Sequence, residues 1–394
     1  MKIAILTSGI LPIPAVKGGA VENLIDFYLD YNHRHKLHDI TVYSVSDKMT
    51  EEHPALQSEV NHYHHIEIWS FWSKVRKHIY KMLHGQEYFH YTIEYYMEQA
   101  MKDILRQGDF DLIIIENRPA YSLKLASRTK AKLVCHLHND FLNSETKEAQ
   151  SIYDALSRII TVSDYIGRRV KTIDPDSSKC ITVNNGIDQS AFSPSIAQAI
   201  HRSDLGLQPN DFVLVFSGRM NEEKGIAELV LAMKLLHETP DIKLLVMGSS
   251  FFGDSSADSP FIRQLKAEAS QLRDRIVFTG FIPYSQVPNY LQLADVAVIP
   301  SMWDDPFPTS VLEAMCMGMP IITTCRGGIP EEVTPENAII LPTDKDIVER
   351  MRTAILDLHD NSEKRMLMGQ ESKRLSTRFN RDRFAEDFFN ALSF

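Results

Sequence analysis

No two cysteines in this chain stand in a CxxC spacing. The four present, Cys135, Cys180, Cys316 and Cys325, are scattered, which excludes a zinc-ribbon or thioredoxin-type reading. Thiols this few, two of them in apolar runs, fit buried free cysteines in a reducing cytoplasm. No window approaches the ~20 apolar residues of a membrane-spanning helix. The opening MKIAILTSG enters a strand-like run at once, and its apolar stretch is too short for a secretory signal. Positive charge is also scarce. The 42 Lys and Arg face 52 Asp and Glu, a net charge of −10, and nucleic-acid phosphates demand the opposite balance. Neither GxGxxG nor GxxxxGK[ST] occurs, so the dinucleotide and P-loop readings fail on spacing. No repeat and no low-complexity segment is present. The expectation is a cytoplasmic protein, at most peripheral at the inner face of the cell membrane.

What is present is a βαβ rhythm over 394 residues, a length that suits two domains better than one core. Continuous apolar runs suggest strands buried on both faces, as in parallel sheets. In the first half these are Lys2–Leu6, Ile40–Ser44, Ile66–Trp69, Asp111–Ile115, Lys132–His136, Ile159–Val162 and Cys180–Val183. In the second they are Phe212–Ser217, Ile242–Gly248, Arg275–Gly280, Asp295–Pro300 and Pro320–Thr324. Amphipathic helices are predicted over Val21–Tyr31, Ile226–His237, Phe261–Leu272 and Val348–Leu358. The alternation predicts doubly wound α/β architecture. It breaks once, at the proline-containing Asp188–Asp211, so the domains are drawn as 1–195 and 205–378. Residues 379–394 are read as a last helix packing back on the first domain.

Five segments carry candidate chemistry. Gly18–Gly19 precedes a helix, where backbone N–H groups can meet an anion, although a plain turn explains the pair as well. In SGRMNEEKG, Arg219 follows a strand end and Lys224 opens the next helix. Two cations at the carboxyl end of a sheet suit a diphosphate, each charge pair giving about 4 kcal/mol at ~4 Å before desolvation. A solvated Glu222–Glu223–Lys224 cluster is the alternative. Asp305 and Glu313 lie eight residues apart around a helix start. Ser310-Val-Leu-Glu313 also reads as a capping box, and the N–H groups of Thr309 and Ser310 are placed to meet phosphate. Cys325–Glu332 adds a second Gly–Gly loop. His136 and His138 fall on one side of an extended strand. They would make two ligands of a metal site, but no third shows itself by spacing, and buried hydrogen-bonded histidines are the alternative.

Taken in order, VKGGAVEN, HLHND, TVSDY, VNNGID, SGRMNEEKG, FTGFIPYSQVPNYLQLADVAVIPS and DPFPTSVLEAMCMGMPII resemble glycosyltransferase family 4 along nearly the whole chain. The resemblance implies the GT-B fold, two Rossmann-like domains facing each other across a cleft. It implies a retaining hexosyltransferase using a nucleotide-sugar, with UDP as the common nucleotide, and no cofactor or metal. By the same resemblance Gly18, Gly19 and Gly218 would meet the donor phosphates, and Arg219 and Lys224 would neutralise the diphosphate. His138 would approach the transferred sugar, with His136 as its wrong-register alternative. Phe281 and Ile282 would meet the nucleobase, and Asp305 would bond sugar hydroxyls. Phe307, Thr309 and Ser310 would line the donor, and Glu313 would hold the ribose. The chain departs from the family at Asp305, where glutamate is usual, and at Pro308, where glycine is frequent. The implied chemistry is front-face attack, the leaving phosphate helping to deprotonate the acceptor.

The acceptor is expected on the first domain, as a glycan or lipid-linked molecule of cell-surface polysaccharide or glycoconjugate synthesis. There Ile68–Gly85 combines Lys74, Arg76, Lys77 and Lys81 with Trp69, Phe71, Trp72 and Tyr80 and has no acid. Such a segment suits an anionic membrane surface or a packed aromatic face. Two rival readings are a catalytically weak GT-B scaffold in a coat or surface-polysaccharide assembly and a GT-B nucleotide-sugar epimerase.

Overall fold

The computed structural model describes residues 1–84, 89–193, 200–249 and 258–394. It divides into two compact units, Met1–Gly186 with Arg381–Phe394, and Ile187–Asn380.

The first unit holds seven parallel strands: β1 (Lys2–Leu6), β2 (Asp39–Val45), β3 (Asn61–Ile66), β4 (Leu112–Glu116), β5 (Lys132–Leu137), β6 (Arg158–Thr161) and β7 (Cys180–Thr182), in the order β3-β2-β1-β4-β5-β6-β7. The second holds six: β8 (Phe212–Ser217), β9 (Ile242–Met247), β10 (Ile276–Gly280), β11 (Val296–Ile299), β12 (Ile321–Thr324) and β13 (Ala338–Leu341), in the order β10-β9-β8-β11-β12-β13. Each sheet starts in its middle, runs to one edge, then returns to the other side of its first strand. That is the Rossmann order, with a crevice at the carboxyl ends where the order reverses. Central strands such as β4 are buried throughout, which accounts for their unbroken apolar sequences.

Helices that bear on function are α1 (Ala20–His35), α2 (Phe71–His84), α3 (Tyr91–Gln107), α4 (Ile226–Leu235) and α5 (Thr309–Cys316). The core of the first unit joins β1, β2 and β4 to α1 and to the last helix, Arg381–Ala391. Tyr28 of α1 stacks on Phe388 of that helix at 4.3 Å.

The structure differs from the sequence expectations at three points. The strand expected at Ile66–Trp69 lies at Asn61–Ile66. It is an edge strand paired only with β2, so its polar NHYHHI sequence is tolerated and no apolar run marks it. β13, the edge of the second sheet, is an addition to the expected strands: its AIIL is an apolar run of only four residues. The division between units falls at Gly186, ahead of the 195 and 205 limits. Ile187 already donates its N–H to the Phe379 carbonyl at 2.8 Å, and Phe192 packs on Tyr284 with ring centroids 5.4 Å apart. Within Asp188–Asp211, residues 194–199 lie outside the described residues, as do residues 250–257 and, in the basic segment, Gly85.

Candidate functional site

In the second unit the strand order reverses between β8 and β11, and the loops leaving these two strands interlock. Met302 donates its N–H to the Glu223 carbonyl at 2.8 Å. Gly225 has φ 70°, and a Cβ there would stand 1.9 Å from the Pro300 carbonyl oxygen, so only glycine allows this approach. The interlock sets the Lys224 ammonium on the Asp305 carboxylate as an ion pair. Ser301 Oγ donates to the same carboxylate oxygen at 3.3 Å, and the ammonium lies 5.9 Å from the Trp303 ring centroid. Lys224 and Asp305 are 81 residues apart in sequence. The loop after β12 holds Asp305 from behind: Gly328 N–H donates to its carbonyl at 2.8 Å.

Arg219 stands exposed in the β8 loop and forms no ion pair among the described residues, so its charge is open to an anion. Gly218 begins that loop at the end of β8. Phe281 and Ile282 follow β10 and are half-buried. Phe307 is buried with its ring 5.6 Å from that of Phe379, so its side chain is taken up in packing.

The capping box read at Ser310–Glu313 does not form. α5 begins at Thr309 after Pro308, without a side-chain cap, because the proline already fixes the entering chain. Glu313 therefore sits in the second turn. Burial pushes its carboxyl up to about 7, against a hydrogen bond with Thr309 that pulls the other way. Glu332, for which the sequence gives no signal, is 1% exposed, and among the described residues neither of its carboxyl oxygens has a hydrogen-bond partner. Burial raises it well above the carboxylate range. The negative charges of Asp305 and Glu331 add to this, and Lys224 opposes it.

In the first unit the order reverses between β1 and β4. Gly18 and Gly19 close the β1 loop with φ of 72° and 102°, and Gly19 precedes α1 without a side-chain cap. The Glu22 carboxyl folds back onto Gly19, where a Cβ would meet its Oε2 at 2.3 Å. Burial raises this carboxyl to about 7. The chain's own acid thus rests against the Gly–Gly turn.

At the end of β4, Glu116 gathers three donors. Tyr28 hydroxyl gives to Oε1 at 3.0 Å. His136 Nδ1 and His138 Nε2 lie 3.1 and 2.9 Å from Oε2. Glu116 and His136 are register partners of β4 and β5, and Asn117 Oδ1 accepts the His138 backbone N–H at 3.1 Å. Burial pushes Glu116 upward, but the charges and hydrogen bonds of His136 and His138 outweigh it and hold the carboxyl at about 2. His138 is lowered to about 4 by burial and by the charge of His136, against its bond to Glu116.

Sequence spacing showed no third ligand beside the two histidines, and the structure supplies one in Glu116. The ligand atoms of the three lie within 4.8 Å of one another, all buried. This donor set suits a cation; His136 Nδ1 and His138 Nε2 are engaged with Glu116, while His136 Nε2 is buried without a hydrogen-bond partner among the described residues. The one sequence signal for Glu116 is a lone charge ending the apolar LIIIE. His138, expected at the transferred sugar, keeps Nδ1 as its remaining ring atom.

Comparison with known proteins bears on the family and the fold. Residues 33–191 match the family model described as Glycosyltransferase Family 4, and residues 197–375 that described as Glycosyl transferases group 1. Spore coat protein SA of Bacillus subtilis (strain 168) is 29% identical over 99% of this chain and 98% of its own. YtcC of the same organism, which carries a provisional glycosyltransferase name, is 31% identical over 85% of this chain and 78% of its own. Among solved structures, sucrose-phosphate synthase from Thermosynechococcus elongatus superposes with a TM-score of 0.76 at 18% identity, over 99% of this chain and 98% of that one. Anabaena Alr3699/HepE in complex with UDP-glucose gives 0.74 at 18% identity, with the same coverage.

Proposed function

Because the chain belongs to glycosyltransferase family 4 and has the GT-B fold, we propose that it is a retaining enzyme moving a hexosyl group from a UDP-sugar to a glycan or lipid-linked acceptor. The observation that carries the reading is the Lys224–Asp305 pair at the strand-order reversal of the second unit. A diphosphate arriving there draws the Lys224 ammonium, together with the free Arg219 guanidinium, toward its oxygens. Asp305 is thereby released to accept hydrogen bonds from sugar hydroxyls. Phe281 and Ile282 take the base, Glu313 the ribose, and the N–H groups at the start of α5, Thr309 and Ser310 among them, the phosphates.

In the transfer step the bond from C1 of the sugar to the phosphate oxygen breaks, and an acceptor oxygen bonds C1 on the same face. The acceptor's proton passes to the departing diphosphate. Arg219 and Lys224 stabilise the charge that develops on it, a role that elsewhere carries about 10²–10³-fold in rate. Gly18, Gly19 and His138 act on the donor phosphates and sugar, and the first unit takes the acceptor. The UDP-glucose complex of the Anabaena structure favours this nucleotide.

The test is nucleoside-diphosphate release from UDP-, GDP-, ADP- and dTDP-sugars by wild type, Lys224→Ala and Glu313→Ala. Turnover of one donor, lost in both variants, supports the reading. Conversion of the donor to its epimer without diphosphate release replaces it with the epimerase. A second reading, a scaffold in a coat assembly, is favoured by similarity to a spore coat protein over 99% of the chain. No turnover and no thermal stabilisation by any nucleotide would favour it instead.

A further inference from the structure

α2 is turned inside out. A surface helix ordinarily buries its apolar stripe and shows its charges to water. Here the inward residues are Ser73 and Lys77, 6% and 5% exposed. Ser73 Oγ donates to the Glu67 carbonyl at 2.8 Å, Lys77 Nζ lies 4.6 Å from the Trp69 ring centroid, and Tyr80 meets Tyr95 of α3 edge-on at 6.0 Å. Outward stand Phe71 and Trp72, each 70% exposed, with Val75, Ile79 and Met82 at 38%, 46% and 68%. At 3.6 residues per turn these five cover an arc of about 100°. Lys74 and Lys81 border the arc on one side and Arg76 on the other, all exposed, and the helix contains no acid.

A contiguous apolar arc in water marks a binding surface. Its border of long cations selects what covers it, since Lys and Arg lay their stems along apolar surface and raise their charges to a polar boundary. In a chain of net charge −10, the local cations call for an anionic occupant. A second copy seated on this face about a twofold axis would set the same cations against one another. Among the described residues no helix is long and apolar enough to cross a membrane, so attachment would be from the side.

We propose that α2 lies in the headgroup plane of an anionic phospholipid bilayer, with Trp72, Ile79 and Met82 at the acyl-chain boundary and Lys74, Arg76 and Lys81 at the phosphates. This holds independently of sugar transfer, and a lipid-linked acceptor would be presented in the same plane.

The full chain, without donor, is sedimented with vesicles of phosphatidylcholine alone or with about one-third phosphatidylglycerol. Wild type is expected to bind the anionic vesicles and to be released by salt. Trp72→Ser with Ile79→Ser and Met82→Ser, and separately Lys74→Glu with Arg76→Glu and Lys81→Glu, should each weaken binding roughly tenfold or more. The substituted side chains are exposed, so thermal unfolding should be unchanged. If a variant unfolds, quenching of wild-type tryptophan fluorescence by brominated acyl chains decides in its place, and absence of quenching overturns the proposal. It is also overturned if wild type ignores anionic vesicles or the serine variant binds like wild type. Self-association in solution, abolished by the serine substitutions and without vesicle binding, would assign the face to a second copy.

Discussion

His138 Nε2 stands 2.9 Å from Glu116 Oε2, both residues buried, on a carboxylate that also receives Tyr28 and His136. His138 titrates near 4 in the folded chain and near about 6.5 when unfolded. Between these values the unfolded state binds more protons, so stability is lost as pH falls through this window. Glu116, held at about 2, adds stability that is present above about 4.3 and lost as pH falls toward 2. The thermal midpoint should therefore drop on acidification from pH 6.5 to 4, with up to about 3 kcal/mol owed to His138. His138→Asn should flatten that limb. Superimposable profiles of wild type and variant would refute the assignment.

Glu313 has its carboxyl raised to about 7, so the sign reverses. The folded state holds the proton that the unfolded state releases above about 4.3, and stability falls as pH rises toward 7. At pH 8 Glu313→Gln should raise the thermal midpoint by a few degrees and weaken nucleotide affinity about tenfold. A variant that melts lower at pH 8 and binds nucleotide normally would contradict both halves.

Glu332 is a buried carboxyl without a hydrogen bond among the described residues, and such groups cost roughly 1–3 kcal/mol. Glu332→Leu should stabilise the chain by about that amount in urea unfolding, most clearly at alkaline pH. Destabilisation would mean that the carboxyl makes an interaction worth more than its burial costs.

Gly225 has no room for a methyl group, since a Cβ would stand 1.9 Å from the Pro300 carbonyl oxygen. Gly225→Ala should cost about 3 kcal/mol. By parting the loops after β8 and β11 it should also abolish nucleotide binding through Lys224. Unfolding and nucleotide titration of the one variant check both, and wild-type affinity would show that the interlock does not position Lys224.

Buried strands were legible because both of their faces are apolar. The edge strand β3 was not, since one open side tolerates its polar NHYHHI sequence, and β13 is an apolar run of only four residues, AIIL. Lys224 and Asp305 were visible as motif residues, but their pairing depends on two loops brought together by sheet order. Glu116 was invisible for a related reason: one acid after LIII acquires its meaning from register with His136 on the next strand. Glu332 shows in sequence only as the end of the Cys325–Glu332 loop. The spacing in α2 announced an amphipathic helix, yet spacing does not say which side faces the protein, and here the usual answer is reversed.

Ile187 pairs with Asn380 in a parallel bridge, so the chain begins and finishes the second unit at a single point. That unit is topologically a cassette inserted between β7 and the last helix. Joints at Gly186–Ile187 and Asn380–Arg381 would cut no strand pair in either sheet. The part bearing Lys224 and Asp305 can thus be exchanged for another unit of the same plan by recombination at two neighbouring positions, and a specificity located there can be inherited, or engineered, as a module.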